Sequence, residues 1–220
     1  MRSFSAVPAF ALVACIGLAS AETYSVDTAH SDIVFKVRHM GISNVTGKFE
    51  KFGGTFSVDP KNVKATTGNL TIDVNSINTG NAKRDGHLKG EDFFDAAKNP
   101  EIKFVSKEVK DVNEKDSTCT LIGDLTIHGI TKPVSLKVKG GGIMKDGWGN
   151  ERAAFTANGK INRFDYGLKW SKTVEAGGLV VGQDVELNLA FEGVRPIAAE
   201  AQKASKVEAK PAAKSEKAAK

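Results

Sequence analysis

Cysteine is scarce in this chain: 220 residues carry two, Cys15 and Cys119. Cys15 falls in an N-terminal segment expected to be cleaved off, and the lone thiol that remains cannot staple the chain, so the fold must rest on its core. Cys119 sits between Thr118 and Thr120 with Leu121 beyond, a strand-like setting for a buried, unreactive thiol. Long apolar runs are also missing. No segment approaches the roughly 20 residues that a membrane-spanning helix needs. The sequence has no G-x-S-x-G elbow, H-E-x-x-H, P-loop, C-x-x-C or dinucleotide glycine fingerprint. Its four histidines, His30, His39, His87 and His128, form no i,i+2 or i,i+4 pair. No metal site is therefore expected, and an enzyme ranks last among the functions considered.

Concentrated positive charge is missing as well, except at the end. The net charge is +5, and residues 196–220 hold six Lys and three Glu. With Arg2 set aside, the segment 22–195 is close to neutral, which argues against a nucleic-acid-binding face. Residues 196–220 are mostly Ala, Lys and Glu without an aromatic residue. They bury too little apolar surface to offset ordering entropy and read as a disordered tail. One use for such a tail is peripheral contact with anionic envelope material.

At the N-terminus, Arg2 precedes the short apolar run Phe10–Leu18 and the small residues Ala19-Ser20-Ala21. This is the pattern of a secretory signal peptide over residues 1–21, cleaved before Glu22, and it implies export to the periplasm. Leu12-Val13-Ala14-Cys15 offers an alternative, lipoprotein-type cleavage box.

Period-two alternation dominates the rest. Ile33, Phe35, Val37 and His39 share one face; Phe52, Gly54, Phe56 and Val58 repeat the pattern. So do Leu70, Ile72 and Val74; Ile102 and Phe104; Cys119, Leu121, Gly123, Leu125 and Ile127; and Val134, Leu136 and Val138. Phe155, Ala157, Gly159 and Ile161 follow, then Val185, Leu187, Leu189 and Phe191. One apolar and one polar face per strand means antiparallel pairing with solvent on one side, and about eight such strands make a sandwich or a barrel. Turns are expected at Asp59-Pro60, Lys132-Pro133, Gly140-Gly141-Gly142, Gly147 with Gly149, and Gly177-Gly178. Asn158-Gly159 is read as uninterrupted strand, because apolar phase holds from Phe155 to Ile161. One helical insertion interrupts the strands: Thr79 as N-cap, Ala82–Lys89 as helix, Gly90 as terminator, and a further turn or two over Glu91–Ala97 before Asn99-Pro100.

Phenylalanines are spread over nearly every element, while Gly54, Gly123, Ala157 and Gly159 put small residues on apolar faces. An eight-stranded barrel is either just filled by its side chains or admits one small ligand, and composition leaves both open. Wall candidates for such a ligand are Ile33, Phe35, Val37, Phe52, Phe56, Leu70, Ile72, Phe104, Leu125, Phe155, Trp170 and Leu187. Polar head-group candidates are His39, which continues an apolar face, Arg84, a natural phosphate partner beside Asp85 and His87, and Arg163.

The motifs come in a distinctive order. Asp27-Thr28-Ala29-His30-Ser31 is followed by Val45-Thr46-Gly47-Lys48-Phe49 and Arg84-Asp85-Gly86-His87-Leu88. Asp92-Phe93-Phe94-Asp95, Pro100-Glu101-Ile102-Lys103-Phe104, Gly123–Pro133 and Asn162-Arg163-Phe164-Asp165-Tyr166-Gly167-Leu168 complete the set. From about residue 22 to 194 this resembles the YceI-like family of periplasmic polyisoprenoid-binding proteins. The resemblance implies an all-β fold, an extended eight-stranded antiparallel β-barrel of lipocalin-like shape with one short helical insertion over residues 22–195. It also implies an apolar pore holding a polyisoprenoid, an isoprenoid quinone, a prenyl phosphate or a related chain, and no catalysis or resident cofactor. It leaves the oligomeric state open, a dimer included. A second function of a different class is an envelope interaction protein acting through its tail, with the barrel as scaffold.

Overall fold

The computed structural model describes residues 21–174 and 178–197. Nearly all of the segment read as a leader, and nearly all of the Lys/Ala-rich tail, lie outside the described residues. Thirteen strands are found among the described residues. They are β1 (Glu22–Val26), β2 (Asp32–His39), β3 (Ser43–Phe49), β4 (Phe52–Val58), β5 (Thr67–Asp73) and β6 (Ile77–Asn78). After the helix α1 (Ala82–Lys89) come β7 (Glu101–Asn113), β8 (Thr118–Ile127), β9 (Ile130–Lys145), β10 (Asn150–Asn162), β11 (Thr173–Val174), β12 (Gly178–Leu179) and β13 (Val181–Pro196).

Eight of these close an antiparallel barrel in the order β1-β4-β5-β7-β8-β9-β10-β13, with β13 returning to β1 through Ser25↔Val194 and Val26↔Gly193. The first half of β13 pairs instead with β2, from Val185↔Val37 to Ala190↔Asp32. β3 and β6 continue the sheet from β2. Full closure leaves the ring without a free edge to template aggregation. Ile33, Ile72, Ile102, Leu125, Ile127, Val134 and Phe191 form one buried cluster, and Tyr24, Phe56 and Ala153 a second.

Several turn expectations change. Lys132-Pro133 lies within β9, opposite Asp124 and Leu125. The turn there is His128-Gly129, whose positive φ values of 52° and 73° join β8 to β9 in the tight, right-twisted hairpin geometry. Pro133 is tolerated because β9 pairs with β8 alone at that point; its pairing to β10 begins at Lys137. Gly140-Gly141-Gly142 is not a turn either. It is strand with a bulge, where Phe155 faces Gly140 and Ala154 faces Gly142. Asp59-Pro60 does lie at the β4–β5 connection, and Gly147 and Gly149 form the β9–β10 turn. Gly177 lies outside the described residues. Asn158-Gly159 is continuous strand, facing Asn188 and Leu187.

The helix occupies its expected span, but Thr79 does not cap it. Asn81 does, its Oδ1 accepting from the Arg84 N–H at 3.0 Å. Thr79 instead receives the helix side chains: Asp85 Oδ1 accepts from its N–H at 2.9 Å and its hydroxyl at 2.6 Å. Gly90 ends the helix in an extended conformation (φ −75°), not a left-handed one. Glu91–Ala97 forms hydrogen-bonded turns, with Asp95 at φ 44°, in place of further helix. Val74 belongs to a 3-10 turn over Val74–Ser76, not to the preceding strand.

Candidate functional site

Along the barrel runs a cavity of about 670 Å³, within the range of roughly 300–1,000 Å³ typical of small-molecule sites. Side chains from nearly every barrel strand line it, because each strand turns one of its two faces inward. Ile33, Phe35, Phe56, Leu70, Phe104, Leu125, Leu136, Phe155, Leu187 and Leu189 supply walls. Glu114 and Arg163 are the charged lining residues.

Its two ends differ. At one, Pro60, Asn113, Glu114, Gly140 and Ile143 line the cavity and are exposed, so this end is a mouth. Thr66, Thr67, Ser117 and Thr118 add hydroxyls there. At the other end the lining is Leu88, Phe93, Phe94, Arg163 and Leu168, of which Phe93, Arg163 and Leu168 are buried. That end is closed.

Arg163 seals it. The side chain is 3% exposed. Its Nε donates to Gly182 O at 2.9 Å, Nη2 to Val181 O at 3.0 Å, and Nη1 to Trp170 O at 2.8 Å and to Leu168 O. No carboxylate forms an ion pair with it among the described residues, and burial pulls its pKa below the usual arginine value. The ring of Phe164 lies 4.6 Å from the guanidinium carbon, adding a cation–π contact. Four carbonyls from two segments are thus gathered on one rigid fork.

Of the residues singled out from sequence, Ile33, Phe35, Val37, Phe56, Leu70, Ile72, Phe104, Leu125, Phe155, Arg163 and Leu187 line the cavity. Four do not. Phe52 packs edge-on against Phe191 with centroids 6.4 Å apart; Phe191 lines the cavity and Phe52 does not. Trp170 lies outside the closed end against His87 (5.1 Å) and Phe93 (5.3 Å). His39 is the last residue of β2, beside the hairpin of Met40 and Gly41, and is not part of the wall. Arg84 is turned onto Thr79, bonding its hydroxyl at 2.7 Å and its carbonyl at 2.8 Å. It makes no contact with the lumen.

Sequence reasoning passed over Leu136, Val138, Leu189 and Phe191 as wall residues although their alternating runs marked them. Phe93, Phe94 and Leu168 come from irregular segments with no periodic signal. Cys119 also lines the cavity and is half-buried; burial pushes its thiol pKa up.

Outside the lumen, Asp27, His30 and Glu192 bring three potential metal ligands together. A guanidinium already serves both carboxylates: Arg152 Nη1 lies 2.9 Å from Asp27 and 2.5 Å from Glu192, and its Nε 3.1 Å from Asp146. Nearby, the Tyr24 hydroxyl donates to Glu151 at 2.6 Å, and burial with that bond pushes its pKa up to about 12. These networks tie β1 to β10 and β13 on the barrel wall.

The YceI-like domain family matches this sequence over residues 24–193. The chain belongs to the YceI-like family. A UPF0312 protein of Pectobacterium atrosepticum is 40% identical over 197 residues, covering 88% of this chain and 97% of the relative. Among solved structures, a YceI protein of Campylobacter jejuni superposes with a TM-score of 0.62 at 28% identity, covering 86% of this chain and 99% of its own. A Saccharophagus degradans structure, described as a polyisoprenoid binding domain implicated in plant cell wall breakdown, gives 0.54 at 19% identity, covering 79% and 98%. In this YceI-like chain the strands close an eight-stranded antiparallel barrel, and the Campylobacter jejuni structure shares its fold.

Proposed function

We propose that the barrel binds, stores or carries one long apolar lipid of the polyisoprenoid type, such as an isoprenoid quinone or a prenyl phosphate, and catalyses no reaction. The observation that carries this reading is a lumen of about 670 Å³ whose lining is almost wholly apolar over the barrel's length. A chain of several isoprenoid units exposes on the order of 600 Å² of apolar surface, worth roughly 15 kcal/mol gross on burial. Ordering and lost free motion remove much of that, yet a substantial remainder is left. Mixed Phe, Leu, Ile and Val walls grip such a chain without reading its fine structure. The neighbour from Saccharophagus degradans, described as polyisoprenoid-binding, supports the same ligand class.

The ends supply polarity. Arg163 has four of its five N–H groups committed to carbonyls, so the closed end offers little to a charged head. The mouth, with Thr66, Thr67, Asn113 and Ser117, offers several hydrogen-bonding groups. The lipid enters tail first and leaves its head at the mouth. The leader pattern at residues 1–21 supports export of such a carrier to the periplasm.

Native mass spectrometry of protein purified from its own cells, followed by solvent extraction, tests the proposal. A stoichiometric lipid adduct is expected. A clean ligand-free mass, together with no uptake of quinones or prenyl lipids, overturns it.

A further inference from the structure

The β9–β10 hairpin overhangs the mouth. β8 pairs with β9 as far as Lys139, the Gly140 N–H still donates to Ser117 O at 2.8 Å, and Gly141–Lys145 continues beyond that contact. Five strand residues reach roughly 17 Å. Gly140, Gly142 and Ile143 line the cavity, so the hairpin is continuous with the lumen wall. Its tip carries large apolar side chains in solvent: Met144 is 66% and Trp148 84% exposed. A soluble barrel gains nothing from a tryptophan held in water, whereas an indole beside cationic side chains is the usual anchor at a membrane surface.

The surrounding charge fits that surface. Lys61, Lys64, Lys115, Lys139 and Lys145 stand exposed around this end and make no ion pair among the described residues. Asp59, Glu114 and Asp116 oppose them, as does Glu151 across from Lys145, while Glu151 is also paired with Arg195 and Asp146 is held by Arg152. Pro196 pairs with Asn150, and the Ile197 N–H donates to Gly149 O at 3.0 Å. The last 23 residues of the chain, with six Lys and three Glu, therefore depart from beside Trp148.

We propose that this hairpin docks the barrel, mouth down, on a bilayer containing anionic lipid, with Met144 and Trp148 inserted among the head groups and the lysines over them. This rests on the carrier reading, because docking there would open the lumen directly onto the membrane.

The test uses the full mature chain with Trp170→Phe, which leaves Trp148 as the one indole. Vesicles of phosphatidylcholine with phosphatidylglycerol should shift Trp148 emission to the blue and expose it to quenching by brominated acyl chains. Pure phosphatidylcholine vesicles should bind more weakly, and added salt should weaken binding to the anionic ones. Met144→Ser with Trp148→Ser, both on the surface, should lower vesicle partitioning about tenfold or more while the tail stays in place. Trp148 emission unchanged by every vesicle, as a protein receptor at this site would give, overturns the proposal. So does vesicle binding undiminished in the double variant, which would assign it to the tail. An emission already blue without vesicles and dependent on protein concentration overturns it as well, pointing to a second copy of this chain. Lipid content is measured separately: extracted lipid without vesicle docking refutes the docking alone, and docking without extracted lipid refutes the carrier alone.

Discussion

The Phe104 ring lies flat over Gly123. A Cβ at position 123 would fall 2.5 Å from Phe104 Cε2 and 2.7 Å from the Val105 carbonyl oxygen. The same arrangement recurs at Gly193 under Phe56, at Gly159 under Leu136, and at Gly47 under Phe35. These glycines do not leave holes. They let large side chains lie along the wall instead of standing into the lumen, and the lumen stays open for that reason. Gly123→Ala must lift the ring and move backbone as well. We expect a loss of about 1–3 kcal/mol in urea denaturation and a weaker uptake of prenyl lipid. Unchanged stability would mean that the ring is free to lie elsewhere.

Arg163→Met leaves the carbonyls of Leu168, Trp170, Val181 and Gly182 without their donor in a buried site. Leaving a buried carbonyl without its donor costs roughly 1–3 kcal/mol, and with four left at once the loss should exceed that of a single bond. Arg163→Lys should recover little, because one ammonium cannot span four carbonyls set around a planar fork. Chemical denaturation midpoints of the two variants check this; a lysine variant as stable as the parent would refute the fork.

Cys119 reports on the lumen. In the chain without residues 1–21 it is the one cysteine, and it lines the cavity with its thiol pKa raised by burial. Alkylation by a small neutral maleimide should therefore be slow at neutral pH and should keep accelerating above the ordinary thiol pKa of 9.0. Protein loaded with lipid should react several-fold more slowly than delipidated protein. Equal rates would place the lipid away from β8.

Acid should loosen the wall at Asp27. Hydrogen bonds from His30 and then Arg152 hold its carboxyl at about 2 against an ordinary 3.8. A depressed folded-state pKa means that the unfolded chain takes up the proton first, so the stabilisation is complete above about pH 4 and fades as pH falls towards about 2. Asp27→Asn should be less stable than the parent at neutral pH and should show a flatter loss across that window. Urea midpoints measured through the window decide it; parallel curves for the two proteins would show that Asp27 is not the group responsible.

Much of this was legible in the chain because a barrel strand repeats one simple rule. Alternation placed Ile33, Phe35, Val37, Leu70, Ile72 and Leu187 on the inner face, where the structure has them. It failed where a side chain's fate depends on distant partners. Phe52 and Phe56 share a phase, but only Phe56 lines the cavity, while Phe52 packs on Phe191. His39 shares a phase with Val37, but the strand ends there. Arg84 and Arg163 looked equally suited to a head group. The first is taken by Thr79, five residues away, and the second by carbonyls that only the folded chain assembles. Pro133 and the Gly140–Gly142 run read as turns because local propensity ignores which side of a strand is paired.

A plug at mid-barrel separates lumen from surface as the lipid's place. Ala157 is 1% exposed, lies on β10 between Val138 and Leu189, and lines the cavity. Ala157→Phe adds a ring at that point. Where the ring meets open lumen it is accommodated at a cost of about 1–3 kcal/mol, which leaves the barrel folded by circular dichroism. A chain that threads from the mouth to Arg163 is then blocked halfway, so the lipid adduct in native mass spectrometry should fall about tenfold or be replaced by a shorter chain. A smaller ligand held near the mouth would be untouched. A variant that keeps the full-length adduct at parental occupancy would show that the lipid does not run through the barrel at all.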